Sequence, residues 1–251
     1  MKPVILEGSG ITKKFVEADP PVLNNVNIEL YDGDFTVIMG ASGAGKSTLL
    51  YSLSGMNTID EGKILYNDDD ITTFREKQKA KLRSDAFGFV FQQTNLVSNL
   101  TLLENVAVAG YLNKKRTTNE TDEKVKQLLK QMDVAHAMDR LPSKVSGGEA
   151  QIAAIARAII NDPKMLFADE PTGALNRRNS DEVLSILQKL HEQGQSILMV
   201  THDMHAAAYG TRILYMEDGK ILAEMKLASM IKDDLKEREA RIHEWLTSLK
   251  W

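Results

Sequence analysis

The 251-residue sequence contains no cysteine, no marked excess of charge of either sign and no long apolar segment. Without cysteine the chain forms no disulfide bonds, and a reducing compartment is the natural expectation. The formal net charge of −4 and the lack of a basic run disfavour a surface that neutralises nucleic-acid phosphates. The longest apolar candidate, residues 153–160, is interrupted by Arg157 and is far shorter than the roughly 18–20 residues that cross a bilayer. We therefore expect a soluble chain without a signal peptide, which reaches any membrane role through a partner.

The pattern of apolar residues predicts strands in the first part of the chain. Val26, Ile28 and Leu30 alternate with polar residues, and a mostly apolar segment follows at 35–39. Asp32-Gly33 supplies a turn between the two segments. With 43% hydrophobic residues and no internal repeat or linker, the chain can form a large core without a visible domain boundary.

The middle of the chain, from about 94 to 145, has a mostly helical pattern. An apolar stripe over 125–132 has the spacing of one helix face, and Thr117 with Glu120 upstream fits a capping box. The elements predicted after it are a strand at 164–170, a helix around 180–193, a strand at 196–203 and a hairpin over 212–225 that turns at Asp218-Gly219. Strands that alternate with helices indicate a mostly parallel α/β core with a helical insertion.

A glycine-rich segment from Gly40 to Ser47 fits the pattern G-x-x-x-x-G-K-[ST], with a predicted strand before it and a helix after it. Glycines let backbone N–H groups turn inward around phosphates, and the helix that starts near Gly45 adds its positive end. Lys46 is expected to bridge the β- and γ-phosphates, and the Ser47 hydroxyl to ligate Mg²⁺. The alternative, a chance loop with an exposed lysine, does not explain why a strand precedes the motif and a helix follows it. The motif therefore predicts ATP and Mg²⁺ as ligands.

Two adjacent carboxylates, Asp169 and Glu170, follow the apolar strand at 165–168. Parallel sheets bind ligands at the carboxyl ends of their strands, and neighbouring side chains point to different sides of the chain. Asp169 is expected to hold Mg²⁺, directly or through water, while Glu170 polarises the attacking water. Alone, the pair could be a solvated strand end; together with the glycine-rich loop it indicates phosphate chemistry.

A second anion site is indicated where Ser146-Gly147-Gly148 precedes a helix with an apolar stripe from 152 to 160. A helix start of this kind offers N–H groups and a favourable dipole to an anion. The segment could also be an ordinary helix cap with glycines. However, the glycine-rich loop already provides one triphosphate site, so a second anion site needs its own explanation.

Residues 40–48, 146–148, 169–170 and His202 occur in an order and at a spacing that resemble an ABC transporter ATPase. The resemblance covers residues 3–225, and it is strongest to the ATPases of macrolide-export, lipoprotein-release and bacitracin-type peptide-resistance systems. It implies a P-loop NTPase core with a mostly parallel sheet, an N-terminal antiparallel β subdomain and a helical insertion. It also implies that residues 146–148 of one protomer cover the ATP bound by the other, in a head-to-tail dimer with two ATP molecules.

The resemblance carries roles to single residues of this sequence. Catalytic roles fall on Glu170, His202, Lys46 and Gln92, and metal contacts on Ser47, Gln92 and Asp169. Nucleotide contacts fall on Phe15, Gly40, Ser42, Gly43, Ala44, Gly45, Lys46, Ser47, Thr48, Ser146, Gly147 and Gly148. Gln92 resembles the glutamine that contacts Mg²⁺ and water, His202 the histidine that bonds the γ-phosphate, and Phe15 the ring that stacks on adenine. Phe15 could instead be a buried strand end, and a metal site at His202 and His205 lacks further ligands nearby.

Three positions depart from the family pattern. Glu149 replaces the common glutamine after Ser-Gly-Gly, Ile152 stands where arginine is frequent, and Asn176 replaces an aspartate that organises the dimer. A carboxylate near triphosphate is unfavourable unless it points to the ribose or to solvent. Because the proposed catalytic residues are all present, hydrolysis is expected to survive these changes.

The implied domain is residues 1–225, with a core at 1–92 and 161–225 and a helical subdomain at about 93–160. Residues 226–251 are predicted to form a charged amphipathic helix, packed either on its own domain or against a partner.

The resemblance implies an identical second subunit and an integral membrane permease on a separate chain, at the cytoplasmic face of the cell membrane, and no nucleic acid. The implied function is ATP-driven export or extraction of an antimicrobial peptide, lipopeptide or similar amphipathic molecule. The alternative is an ATP-gated regulator of a membrane protein in cell-wall or cell-division control.

Overall fold

The computed structural model describes residues 2–15, 20–113, 116–228, 234–249 and 251. They form two compact units: a first unit of residues 1–79 with 191–251, and a second unit of residues 80–190. The strands are β1 (Val4–Lys13), β2 (Leu23–Tyr31), β3 (Phe35–Met39), β4 (Glu61–Tyr66), β5 (Asp69–Asp70), β6 (Phe87–Phe91), β7 (Met165–Asp169), β8 (Ser196–Thr201), β9 (Arg212–Glu217) and β10 (Lys220–Lys226). The helices are α1 (Lys46–Leu53), α2 (Glu76–Asp85), α3 (Leu102–Gly110), α4 (Thr118–Gln131), α5 (Gly147–Ile159), α6 (Arg177–Glu192), α7 (Met204–Ala207) and α8 (Leu235–Ser248), with 3₁₀ turns at Ile71–Thr73, Ala135–Ala137 and Pro142–Lys144.

The first unit contains an antiparallel sheet in the order β2-β1-β4-β5. Along β2, Leu23, Val26, Ile28 and Leu30 are buried, and the residues between them are more exposed. The alternation in the sequence therefore reflects one face that packs on the core. This sheet is the antiparallel β subdomain expected near the N-terminus.

The first unit also contains strands in the order β10-β9-β3-β8. β3 is parallel to β8 and to β9, and every residue of β3 and β8 is buried, which explains why both strands are mostly apolar. β9 and β10 form the predicted hairpin, in which Asp218 and Gly219 have φ angles of 46° and 72°. Positive φ at both positions is the turn geometry that Asp-Gly favours.

In the second unit, β6 and β7 are parallel, and α5 packs against β6 and α3. The capping box predicted for α4 is present, because the Thr117 side chain accepts the Glu120 N–H and Glu120 accepts the Thr117 N–H. The apolar stripe of α4 faces the core as expected, except that Leu128 is only half-buried. The buried residues of α4 are Thr121, Val125 and Leu129.

Helix α6 begins at Arg177, three residues before the predicted start at about residue 180. The reason is Asn176, whose side-chain oxygen accepts the Asn179 N–H at 3.0 Å, as an N-cap residue does. Asn176 thus has a structural task in this chain at the position where the family commonly has aspartate.

Helix α8 buries Arg238, Ile242 and Leu246 and packs on α7 of its own unit. This is the first of the two arrangements that the sequence left open for the C-terminal helix. Three further apolar residues at this end of the chain, Leu235, Trp245 and Leu249, are half-buried. A buried arginine on this helix was not expected.

The two compact units divide after residues 79 and 190. These divisions do not test the limits predicted for the helical subdomain, about 93–160, and for the C-terminal segment, 226–251, which stay predictions. Among the residues described, no helix combines the length and the hydropathy needed to cross a membrane.

Candidate active site

The glycine-rich loop lies between β3 and α1 and has a packed side and an open side. At Gly45, φ is 98° and a Cβ atom would lie 2.6 Å from the Val22 carbonyl oxygen, so only glycine fits there. At Gly43, φ is 84° and a Cβ atom would meet nothing within 4 Å. Of the other predicted contacts, Ser42 is exposed, Ala44 is buried, and Ser47 and Thr48 are half-buried. The loop therefore presents its middle to a ligand while Gly45 is fixed against the protein.

The start of α1 has the properties of an anion site. Gly45 is its N-cap and provides no side-chain cap, whereas α3, α4 and α5 each begin with a capping box. Lys46 is only 7% exposed, and its Nζ atom donates to the carbonyl oxygens of Gly40 at 2.8 Å and Ala41 at 2.9 Å. A cation within the loop and an uncapped helix start both favour a bound phosphate.

His202 lies at the same edge of the first unit as this loop. β3 and β8 are parallel with Met39 opposite Thr201, so Gly40 and His202 each follow the end of neighbouring strands. His202 is exposed, and the next residue, Asp203, accepts the His205 N–H at 2.9 Å and caps α7.

His205 is buried, and its Nδ1 atom bonds to the Glu239 carboxylate. The described residues contain no group of three or more His, Cys, Asp or Glu side chains arranged to hold a metal ion.

The second unit brings Gln92 and Glu170 together in the same way. β6 and β7 are parallel with Phe91 opposite Asp169, so the two residues follow neighbouring strand ends. Gln92 is exposed and approaches the loop after β7, where a Cβ atom on Gly173 would lie 2.8 Å from its Nε2 atom. Glu170 has a φ angle of 47°, a left-handed conformation that costs a side chain of this type about 1–3 kcal/mol. Strain of this kind is concentrated at functional sites.

Gln151 joins these two strand ends and was not predicted from the sequence. The side chain is 1% exposed, and its Nε2 atom donates to the carbonyl oxygens of Phe91 and Pro171, both at 2.8 Å. Removal of this amide would take one hydrogen-bond donor from each of the two carbonyl groups, of which the bond to Pro171 is buried. The sequence does contain a sign of this role, because Gln151 lies four residues before Ile155 and places an amide on the apolar face of α5.

Ser146 and Gly147 are exposed at the start of α5, whereas Gly148 is buried and a Cβ atom on it would lie 3.1 Å from Asn179. The Ser146 side chain accepts the Glu149 N–H at 3.2 Å as the N-cap of the helix. The exposed pair is therefore available to a ligand outside the unit, and its action on a partner's ATP stays a prediction.

The Glu149 carboxylate turns back to its own helix start. One oxygen accepts the Ser146 N–H at 2.6 Å, and the other lies 2.7 Å from the Nε2 atom of His136. The bond from the Ser146 backbone holds the pKa of Glu149 below its ordinary value. The carboxylate thus completes a capping box at this unusual position. At the other departure from the family pattern in α5, Ile152 is buried.

Replacing Glu149 with glutamine is expected to lower the free energy of unfolding at neutral pH by about 0.5–1 kcal/mol, because the amide keeps an acceptor but loses the charge near the helix start. Since the folded state depresses this pKa, the contribution exists above the unfolded value and disappears as pH falls through the folded one. Urea unfolding of both proteins between neutral pH and values below 4.5, the ordinary glutamate pKa, measures this. Glu120→Gln, in the capping box of α4, is the matched comparison. A difference that does not change with pH would contradict the assignment.

Phe15 is 48% exposed, and the Lys13 ammonium lies 5.6 Å from its ring centroid. The ring is therefore not buried at a strand end, and its stacking on adenine stays a prediction.

A glycine-rich loop between a buried parallel strand and an uncapped helix, with a buried lysine within it, defines a P-loop nucleotide-binding protein. The model of the ABC transporter family matches residues 23–173. The macrolide export ATP-binding/permease protein MacB of Vibrio parahaemolyticus is 37% identical over 237 residues, which cover 92% of this chain and 36% of that protein. MacB of Campylobacter jejuni is 40% identical over 206 residues, 82% of this chain and 32% of that protein. The chain thus spans about a third of the length of these relatives.

Solved structures give the same result. The ATP-binding cassette MJ0796, in a dimeric post-hydrolysis state bound to ADP and Pi, superposes with a TM-score of 0.82 at 33% identity, over 90% of this chain and 100% of that one. The cbiO1 subunit from Clostridium perfringens gives 0.81 at 27% identity, over 94% of this chain and 92% of that one. The chain belongs to the ABC transporter family, as an ATP-binding cassette and an ATPase. The predicted family and its α/β P-loop fold are confirmed.

Proposed function

We propose that two copies of this chain bind two ATP molecules between them, head to tail, and hydrolyse them to drive a membrane permease. The observation that carries the proposal is the order at the strand ends. His202 follows a strand paired with the one that enters the phosphate loop, and Gln92 and Glu170 follow another pair in register. The ends of parallel strands are where open α/β sheets bind ligands.

Each residue has a role that suits its surroundings. The Lys46 ammonium exchanges its carbonyl partners for phosphate oxygens, and the start of α1 donates to them. Glu170 accepts a proton from the attacking water, and His202 donates to the γ-phosphate. Phe15 offers an exposed ring to the adenine.

The hydroxyl of Ser47, the carboxylate of Asp169 and the amide oxygen of Gln92 are donors of the type that Mg²⁺ prefers. These residues would hold the ion, which neutralises charge on the phosphates. Gln151 keeps the strand ends that carry Gln92 and Glu170 together through its two carbonyl bonds.

The head-to-tail dimer is supported by the exposure of Ser146 and Gly147 at the start of α5. The capping box of α5 uses the N–H groups of Ser146 and Glu149, and those of Gly147 and Gly148 are not part of it. They are the groups that this helix start offers to an anion, while the phosphate loop of the same chain has its own helix start. The related cassette MJ0796 is dimeric in two structures.

The MacB relatives are ATP-binding/permease proteins, and this chain matches about a third of their length. We propose that a separate membrane chain supplies the permease, which places the ATPase peripherally at the cytoplasmic face of the membrane. The transported molecule is amphipathic, of the antimicrobial peptide or lipopeptide type. The relatives named for macrolide export support this class of cargo, because macrolides are also antibiotics.

Affinity purification of the tagged chain from its native membranes is expected to recover a multi-span membrane protein. When the two are reconstituted, Mg-ATP turnover should rise several-fold with an amphipathic peptide, because transporter ATPases respond to the state of the permease. The alternative function, an ATP-gated regulator of a membrane protein, would be supported instead by a recovered partner that controls wall enzymes and by turnover that no amphipathic compound affects.

A further inference from the structure

A buried arginine of the C-terminal helix holds the segment that follows His202. Arg238 on α8 is 1% exposed. Its Nε atom donates to the Ala208 carbonyl at 2.6 Å, Nη1 to the Ala228 carbonyl at 2.7 Å, and Nη2 to the Gly210 carbonyl. Ala208 is the C-cap of α7, where carbonyl groups lack partners within the helix.

The adjacent residue of α8 holds the other part of α7. The Glu239 carboxylate is bonded to the ring of the buried His205. The backbone N–H of His205 in turn donates to the Asp203 side chain. Asp203 is also fixed through its own N–H, which donates to the Thr201 hydroxyl at 3.0 Å. The chain from Thr201 to Gly210 is therefore bonded to α8 at His205, Ala208 and Gly210.

An arginine is an energetically costly residue with which to fill this buried space. A buried guanidinium loses its hydration, and an apolar side chain of similar size would fill the same volume without that loss. What the guanidinium provides is direction, because its donors form a rigid planar fork that fixes the positions of the carbonyl groups around it. The bonds of Arg238 thus specify the path of residues 208–210 relative to α8.

We propose that Arg238, assisted by Glu239, is a positioning residue for His202. The inference rests on the proposed function, in which His202 bonds the γ-phosphate. His202 lies between the end of β8 and the start of α7, so its placement depends on where α7 is held. The phosphate loop follows a different strand and bonds its lysine internally. Loss of Arg238 therefore lowers catalysis and leaves nucleotide binding unchanged.

The test is a double-mutant cycle between Arg238→Gln and His202→Ala, with Arg241→Gln as the control on an exposed position of the same helix. Arg238→Gln should lower kcat roughly 10- to 100-fold, as expected when a reacting group is misplaced, with KM for ATP within about twofold. Arg241→Gln should retain wild-type kcat. In the His202→Ala background, Arg238→Gln should cause no further loss of kcat, because it acts through the side chain already removed.

Rates are normalised to folded protein by thermal unfolding, and Glu239→Ala, at a partly exposed position, serves as a second variant if Arg238→Gln does not fold. It should lower kcat with the same dependence on His202. An equal loss of kcat in both backgrounds, or a rise in KM alone, would overturn the inference. If His202→Ala impairs hydrolysis and neither α8 variant does, the inference fails while the proposed function stands. If His202→Ala retains wild-type turnover, the role of His202 fails and the inference with it.

Discussion

Replacing Glu170 with glutamine is expected to lower kcat for ATP hydrolysis by roughly 100- to 10,000-fold, the contribution of a positioned general base. Glutamine has the same length, and the left-handed backbone at this position makes the same demand on both residues. The turn after β7 is also held by the Gly173 N–H, which donates to the carbonyl of residue 170 whatever its side chain. The substitution thus removes the basic oxygen and leaves the loop in place.

Phosphate release under steady-state conditions measures the loss, and light scattering with Mg-ATP measures dimer formation. We expect the Glu170→Gln protein to dimerise with ATP, since Lys46 and the start of α5 are untouched. Glu182→Gln, on the exposed side of α6, removes a carboxylate from the same unit and should hydrolyse ATP at the wild-type rate. Equal turnover by the wild type and Glu170→Gln would show that another group activates the water.

The features that the sequence predicted most directly are those that local geometry determines. The phosphate loop needs glycines at fixed offsets from a strand and a helix, so the pattern over Gly40–Ser47 was sufficient to predict it. The capping box of α4 and the Asp-Gly turn at residues 218 and 219 are also contained within a few residues. In each case the cause and the structure lie in the same short segment.

The features that the sequence did not indicate depend on partners far along the chain. Arg238 resembles any charged residue of an exposed helix until carbonyl groups at residues 208, 210 and 228 are brought around it. Gln151 resembles a polar interruption of α5 until the ends of β6 and β7 meet at its amide. Glu149 is an exception, because its contact with the helix start is local: the spacing of Ser146 and Glu149 is that of the capping box of α4, and it predicts the same cap for α5.

A mixture of two inactive variants is expected to recover activity if the Ser-Gly-Gly segment acts on the partner's ATP. Lys46→Ala removes the cation of the phosphate loop, and Ser146→Asp adds a negative charge where the γ-phosphate would bind. Aspartate is a strong N-cap residue, so α5 keeps its start and the charge is the main change. Each variant alone should lose at least about 100-fold in kcat, the effect of removing electrostatic stabilisation of the phosphates.

In a mixed head-to-tail dimer, one site combines both defects and the other combines an intact phosphate loop with an intact Ser146. With equal amounts, half of the dimers are mixed and half of their sites are intact, so turnover should reach about one quarter of the wild-type rate. A mixture of Lys46→Ala with the double variant Lys46→Ala/Ser146→Asp contains no intact phosphate loop and should stay inactive. If Lys46 and Ser146 served the same ATP within one chain, no mixed dimer would contain a complete site. A mixture that hydrolyses no faster than its separate components would therefore contradict the shared site.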